Sequence, residues 1–242
     1  MVTALLLLTA RGADPVLTLQ GSGTQSDPWI ISTKEHLKEL ADACSNAPKG
    51  ADAGHFFGKY FKQTADIDMS GITDFYGIGT APKTSASGTA YYFGGHYDGG
   101  NFRIKNLVVD ALVYKANGQV ESTGANKTRQ YNGLFGTIKG GSVRNVIIDK
   151  SCKFLFYGNG GGIVGRIEAT ASDGAGIYNC TNEADIIAYN NNIGGIAGYV
   201  NRTASQPDVT LENCLNKGNV LSQGQYIGGI ASNVSLCKIS NC

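Results

Sequence analysis

The chain has 242 residues, enough for one sizeable core. Its 20 basic residues nearly balance 19 acidic ones, and no basic run or basic–aromatic cluster occurs, which argues against a nucleic-acid surface. The 34 glycines, together with short segments of period two, argue against helical repeats.

In chain order, residues 1–20 read as a signal-like remnant and linker. Met1 to Arg11 (MVTALLLLTAR) has the apolar character of the back end of a secretion signal and is too short to span a bilayer. Leu8-Thr9-Ala10 is similar to the three residues before the lipidated Cys of a bacterial lipoprotein. Arg11 stands in the Cys position, so export is expected and lipid anchoring is not.

Residues 21–56 read as an N-terminal capping segment with a helix. Gly21 to Ile31 is turn chemistry leading into extended chain, with Asp27-Pro28 turned away from helix. Ser32-Thr33-Lys34-Glu35 has the form of a capping box with Ser32 as the cap, and Gly50 to Gly54 ends the helix. Leu37, Leu40, Ala41 and Cys44 share its apolar face, which suits a lid over the first repeat.

Residues 57–242 read as repeats, with Tyr60 to Asp68 as the first strand. Asp66, Asp68 and Gly71 begin like a calcium loop, but the twelfth position is Gly77 where the loop needs a bidentate Glu, so calcium is not expected. Ala116 to Gln130 interrupts the spacing and should loop out on one side, where insertions commonly carry binding.

Four segments place apolar, small and apolar residues on one strand face: Leu134/Gly136/Ile138, Ile163/Gly165/Ile167, Ile196/Gly198/Val200 and Ile230/Ser232/Val234. Thr137, Arg166, Tyr199 and Asn233 should face outward. Each is followed by apolar-x-Asn-apolar, with asparagines at 145, 179, 213 and 241, and a fifth copy ends on Asn106. The first three are 34 residues apart. A fixed period of short strands predicts an all-β parallel β-helix, or β-solenoid, with a short N-terminal capping helix. Val143 and Val146 both need to face inward, so the chain must bend at the Asn between them. Asparagine tolerates the left-handed region such a corner requires. Asn106, Asn145, Asn179, Asn213 and Asn241 are expected to stack as a structural ladder of amide-to-amide bonds.

Tyr131-Asn132-Gly133-Leu134-Phe135-Gly136 followed by Val143-Arg144-Asn145-Val146 resembles the GLUG repeat of bacterial surface proteins. Phe93 to Asn101 with Ile104-Lys105-Asn106-Leu107 resembles that family's opening segment. The resemblance covers Trp29 to Cys242. It implies surface display in adhesin-like proteins, and such repeats also occur as non-catalytic parts of immunoglobulin-cleaving metalloproteases.

Catalytic constellations are missing from the sequence. His36, His55 and His96 are isolated, with no His-Glu-x-x-His and no Cys-x-x-Cys, so neither metal nor cofactor is expected. Arg103-Ile104-Lys105 resembles a polygalacturonase triplet, but the accompanying Asp residues and Gly-His-Gly are absent. Asp98 with Asp110, or Glu168 with Asp173, are formal carboxylate pairs that no spacing favours. The expected function is a non-enzymatic, exported bacterial cell-surface or extracellular module that binds host or environmental glycans or proteins. Tyr131, Tyr157, Tyr178, Tyr189, Tyr199 and Tyr226 are candidates for stacking on sugar rings. The alternatives are a spacer within a larger surface protein and a polysaccharide-degrading β-helical enzyme. Cys180, Cys214 and Cys242 recur in one slot and should be buried free thiols, because stacked parallel side chains lack the torsion of a disulfide. The chain stops directly after a corner motif, so further repeats and domains of a longer parent chain are expected.

Overall fold

The computed structural model describes residues 14–46, 56–80, 91–112, 114–120 and 131–242. Arg11, His55 and the stretches 50–54 and 121–130 therefore lie outside the described residues. The described chain is mostly β, with parallel sheets and one helix.

Five parallel sheets are filled in chain order. Sheet I takes Trp29–Ile31, Tyr60–Gln63, His96–Asp98, Ser142–Arg144, Ala175–Tyr178, Val209–Glu212 and Lys238–Ser240. Sheet II takes Ile67–Asp68, Arg103–Lys105, Ile147–Ile148, Thr181–Asn182 and Leu215–Asn216. Val108–Asp110, Lys153–Phe156, Asp185–Ala188 and Val220–Ser222 form sheet III. Sheet IV has Tyr131–Asn132, Asn159–Gly161, Ile193–Gly194 and Ile227–Gly228. Phe135–Lys139, Val164–Glu168, Ala197–Asn201 and Ala231–Ser235 form sheet V. From His96 to Ser235 each repeat thus contributes one strand to every sheet before the next repeat begins, while the strands before His96 reach only sheets I and II. The first strand is Trp29–Ile31 rather than Tyr60 to Asp68, and that latter stretch divides between sheets I and II.

Register turns the sequence period into columns of like residues. Val143, Ile177, Leu211 and Ile239 are successive partners in sheet I, and Ile138, Ile167, Val200 and Val234 in sheet V. Ile138, Ile167, Val200, Val143, Ile177 and Leu211 have no exposed surface. Burying such a side chain is worth roughly 1.5–3 kcal/mol, and a one-residue slip would turn the whole set outward.

The corner between sheets I and II explains the asparagine. Val143 and Val146 on either side of it are both fully buried. Asn145, Asn179, Asn213 and Asn241 have φ of 55°, 54°, 54° and 52°, in the left-handed region that most residues avoid. Asn179 Nδ2 donates to Asn145 Oδ1 at 3.2 Å, and Asn213 Nδ2 donates to Asn179 Oδ1 at 3.1 Å. Asn106 belongs to a different corner. Ile104 pairs with Ile148, not Val143, so Asn106 falls between sheets II and III, where its amide donates to Asp68 Oδ1 at 2.9 Å. In the repeat before Asn145, the sheet I strand ends at Asp98 and a wider Gly99–Phe102 corner leads to Arg103, so the Asn145 amide donates to Asp98 Oδ1 at 2.9 Å.

A second column of amides lies inside. Asn182 is fully buried, donates to Asn216 Oδ1 and the Ala184 carbonyl, both at 2.9 Å, and accepts from Ala184 N–H. The glycines just after the sheet IV strands make its room. A Cβ on Gly162 would lie 2.5 Å from Asn182 Cγ, and one on Gly195 would lie 2.3 Å from Asn216 Cγ. The small residue of each sheet V trio has a related cause: a Cβ on Gly165 would lie 2.2 Å from the backbone nitrogen of Asn132. Phe135, Val164 and Ala197, just before it, are buried too, and so is Thr137.

Helix α1, Lys34–Asn46, buries Leu37, Leu40, Ala41 and Cys44 against the same core. Its cap is Thr33 rather than Ser32. Thr33 Oγ1 accepts from His36 N–H at 3.3 Å, and the Ser32 N–H donates back to His36 Nδ1 at 3.3 Å. His36 therefore performs the reciprocal half of the capping box that Glu35 was expected to perform.

All six cysteines are free. Cys44, Cys152, Cys180 and Cys214 are buried, and burial pushes their thiols up, to about 12 for Cys152 and about 11 for Cys214. Cys242 is exposed, in contrast to the expected burial.

Asn179→Ala removes both amide bonds of the corner and leaves a side chain poorly suited to φ of 54°. It should lower the unfolding free energy by about 1–2 kcal/mol, and Asn179→Gly should lose less because glycine adopts this backbone freely. Denaturant melts check this, and equal losses for the two variants would contradict it.

Candidate functional site

With the sheet interiors closed by apolar side chains, chemistry is confined to the outer faces and the loops between sheets. The carboxylates singled out in the sequence are all engaged there. Asp66 accepts from Arg103 N–H at 2.8 Å and from Lys105 Nζ at 2.6 Å, and Asp68 accepts from Ser70 and Asn106. Asp98 is on sheet I and Asp110 on sheet III, where Asp110 accepts from Leu112 N–H and from the Tyr114 hydroxyl. Glu168 pairs with Arg166, and Asp173 accepts from Ser172 Oγ within its turn. No group of three His, Cys, Asp or Glu among the described residues is placed to hold a metal ion.

Arg103 and Lys105 are held as part of an ion-pair network on sheet II. Arg103 Nη1 lies 3.0 Å from Asp149 and 2.7 Å from Glu183, and Lys217 lies 3.1 Å from Glu183. The Arg103 bond, then that of Lys217, holds the Glu183 carboxyl below its usual value despite some desolvation. The Ser151 backbone N–H and Arg103 do the same for Asp149.

The six candidate tyrosines separate into distinct environments, and among them only Tyr226 is exposed. Tyr131 and Tyr199 flank the Arg166 guanidinium, whose carbon lies 5.1 Å and 5.8 Å from their ring centres. Those faces are covered by the cation. Tyr178 lies across Gly176 on the outside of sheet I, so that a Cβ there would fall 2.3 Å from its ring.

Tyr157 and Tyr189 meet a third ring that the sequence reading did not place with them. The insertion after sheet III folds back as a short hairpin, with an antiparallel bridge between Tyr114 and Val120 and a Lys115 N–H to Gln119 carbonyl bond of 2.8 Å. Tyr114, Gly118, Gln119, Val120, Tyr157, Tyr189 and Gln223 line a groove of about 530 Å³ beneath it. Burial, then the bond to Asp110, raises the Tyr114 hydroxyl to about 12, so it stays a neutral donor at physiological pH. Below the tyrosines, Leu155, Ile187 and Leu221 form an outward row on sheet III, with Ile187 and Leu221 exposed. The groove combines aromatic faces with two amide side chains, the chemistry of hydroxyl-rich ligands, and it offers no nucleophile–base pair.

A second cleft, of about 340 Å³, lies on the outer face of sheet I. Tyr60, His96 and Ser142 form one row across its strands, and Lys62, Asp98 and Arg144 form the next. The loop residues Gln25, Ser26 and Pro28 wall one side. His96 Nδ1 lies 2.8 Å from Ser142 Oγ, and burial lowers the imidazole pKa, which leaves the ring neutral at pH 7.

No protein-family model matches the chain, and no curated protein does. Among solved structures, the chain is similar to that of a candidate immunoglobulin A1 protease from Bacteroides ovatus, at 20% identity and a TM-score of 0.43, covering 92% of this chain and 76% of that one. Among the described residues no helix is long and apolar enough to cross a membrane.

The sheet II network sets a pH dependence. Folded-state pKa values held below the unfolded ones, about 4.3 for Glu and 3.9 for Asp, give stability that is present above those values and is lost as pH falls through the folded values. Unfolding free energy should therefore drop between pH 5 and pH 3, and Glu183→Gln should reduce that drop. An unchanged drop in the variant, measured by denaturant melts at each pH, would exclude Glu183 as a contributor.

Proposed function

We propose that the protein is a non-enzymatic binding module of an exported bacterial surface protein, built as a parallel β-solenoid, and that it recognises glycans. The observation that carries this reading is the groove under the hairpin, where Tyr114, Tyr157 and Tyr189 surround a space also lined by Gln119 and Gln223. Sugar rings present apolar CH faces and hydroxyl edges, which match tyrosine faces and glutamine amides respectively. The resemblance of Tyr131 to Gly136 and Val143 to Val146 to GLUG repeats supports the surface setting. The repeating register supports the solenoid, since each repeat has an apolar face that only its neighbours can cover.

A protein ligand is the second reading, favoured by the outward row of Leu155, Ile187 and Leu221 beside the groove. The two readings separate by which residues matter. For a glycan, Tyr157→Ala and Tyr189→Ala should each weaken binding about fivefold or more, corresponding to roughly 1 kcal/mol per stacked ring, while Ile187→Ser has little effect. Purified protein on a panel of neutral and acidic oligosaccharides, with turnover followed in parallel, provides the measurement. Wild-type levels of binding by both tyrosine variants, or sustained cleavage of a panel member, would overturn the proposal.

A further inference from the structure

The cleft on sheet I is a second candidate site, and it shares no residue with the tyrosine groove. Its charges are unevenly spent. Arg144 is committed to Asp98 through Nε and Nη2, both 3.0 Å from Oδ2. Asp98 Oδ1 in turn accepts from Gly100 N–H at 3.0 Å and from Asn145 Nδ2 at 2.9 Å. Desolvation works against that carboxylate, but the donors, Asn145 foremost, outweigh it and keep it ionised. Lys62 is the strand neighbour of Asp98 on the other side, yet its exposed ammonium makes no ion pair among the described residues. Two cations thus flank one saturated carboxylate, and the cleft holds one uncompensated positive charge.

The row beside these charges is wettable. The rings of Tyr60 and His96 stack on one another, with centroids 4.7 Å apart at 31°, so each covers one face of the other. Ser142 extends the row with a hydroxyl, and Gln25 and Ser26 offer an amide and a hydroxyl from the opposite wall. Since His96 is neutral at pH 7, the positive charge is localised at Lys62 rather than spread along the row.

We propose that this cleft binds an acidic saccharide, with the sugar carboxylate on Lys62 and its hydroxyls on Ser142, Gln25 and Ser26. The ammonium–carboxylate contact is a charge-assisted hydrogen bond, stronger than a neutral one. Ser142, Gln25 and Ser26 meet the hydroxyls, and the stacked Tyr60 and His96 rings bound the cleft beside them. A saccharide fits better than an acidic peptide because the cleft is lined by hydroxyl, amide and aromatic groups, and the sheet I strands around it are already paired on both sides, leaving no backbone edge for an extended peptide to join.

The test uses the whole chain and isothermal titration with oligogalacturonate, the same oligosaccharide after reduction of its carboxyl groups, and oligoglutamate. Oligogalacturonate should bind, and both carboxyl reduction and Lys62→Gln should weaken it roughly tenfold or more, the loss of one charge-assisted bond. Lys153→Gln, which removes an exposed charge from sheet III, should leave binding unchanged and so controls for net charge. Lys62 is exposed on its strand, and equal thermal midpoints for Lys62→Gln and the parent establish that the fold is retained. Equal binding of the reduced and acidic oligosaccharides, full binding by Lys62→Gln, or tighter binding of oligoglutamate would each overturn the proposal. Loss of neutral-glycan binding in Tyr157→Ala reads the other groove, so failure of one site is distinguishable from failure of the other.

Discussion

The structure depends on one constraint: parallel strands from successive repeats must stay in register while the chain turns five times per repeat. Strands in parallel sheets lie about 4.8 Å apart, so an error at any corner would displace every residue after it. The left-handed asparagines at 145, 179 and 213 meet that constraint twice over, by supplying the backbone geometry of the corner and by forming a chain of amide bonds in which Asn179 joins the repeats before and after it. The buried Asn182–Asn216 pair fixes the next strand in the same way from inside. Apolar columns such as Val143, Ile177 and Leu211 supply the driving force and exclude a one-residue slip, but they discriminate less against a shift of two residues, which keeps the same face inward.

That division explains what could be read from the sequence. The 34-residue spacing and the period-two segments lead to parallel sheets and to the inward residues of the first three trios, because pattern and burial are linked directly, while Thr137, expected outward, is buried. Asn106 misleads because the motif apolar-x-Asn-apolar also serves the following corner. Only pairing partners distinguish the two, and the wider Gly99–Phe102 turn shifts the count between them. The inner amide column had a visible signal, Asn-Cys-x-Asn at 179–182 and again at 213–216, but an asparagine flanked by polar residues reads as surface until the glycines opposite it are known. Thr33 displaced Ser32 as the helix cap by a single residue, a difference that depends on where the preceding strand releases the chain.

The candidate sites were less legible for a physical reason. Tyr157 and Tyr189 could be listed as available rings, but Tyr114 reaches them only because an insertion folds back over sheet III. Likewise, Tyr60, His96 and Ser142 are separated by more than 30 residues at each step and become neighbours through register alone. A stacked repeat converts distant sequence positions into adjacent surface positions, so its outer rows can be composed independently of its core. Both clefts occur where the repeat is locally irregular: the hairpin insertion on sheet III and the loop at Gln25 to Pro28 beside sheet I. The regular rows nearby are occupied by self-satisfying pairs such as Arg103 with Glu183 and Arg166 with its tyrosines.

If register between interchangeable repeats is what holds the molecule together, removing one whole repeat should be tolerated where removing part of one is not. Deleting residues 179–212, one period of 34, would join Tyr178 to Asn213 and keep the corner sequence intact. Deleting residues 179–195 would join a sheet I strand directly to the sheet V strand of the same repeat, removing its strands in sheets II, III and IV. Circular dichroism and denaturant melts of the two shortened chains test the account directly. The prediction is a cooperative β-rich unfolding transition for the 34-residue deletion and its loss for the shorter one. A whole-repeat deletion that unfolds as completely as the partial one would contradict it.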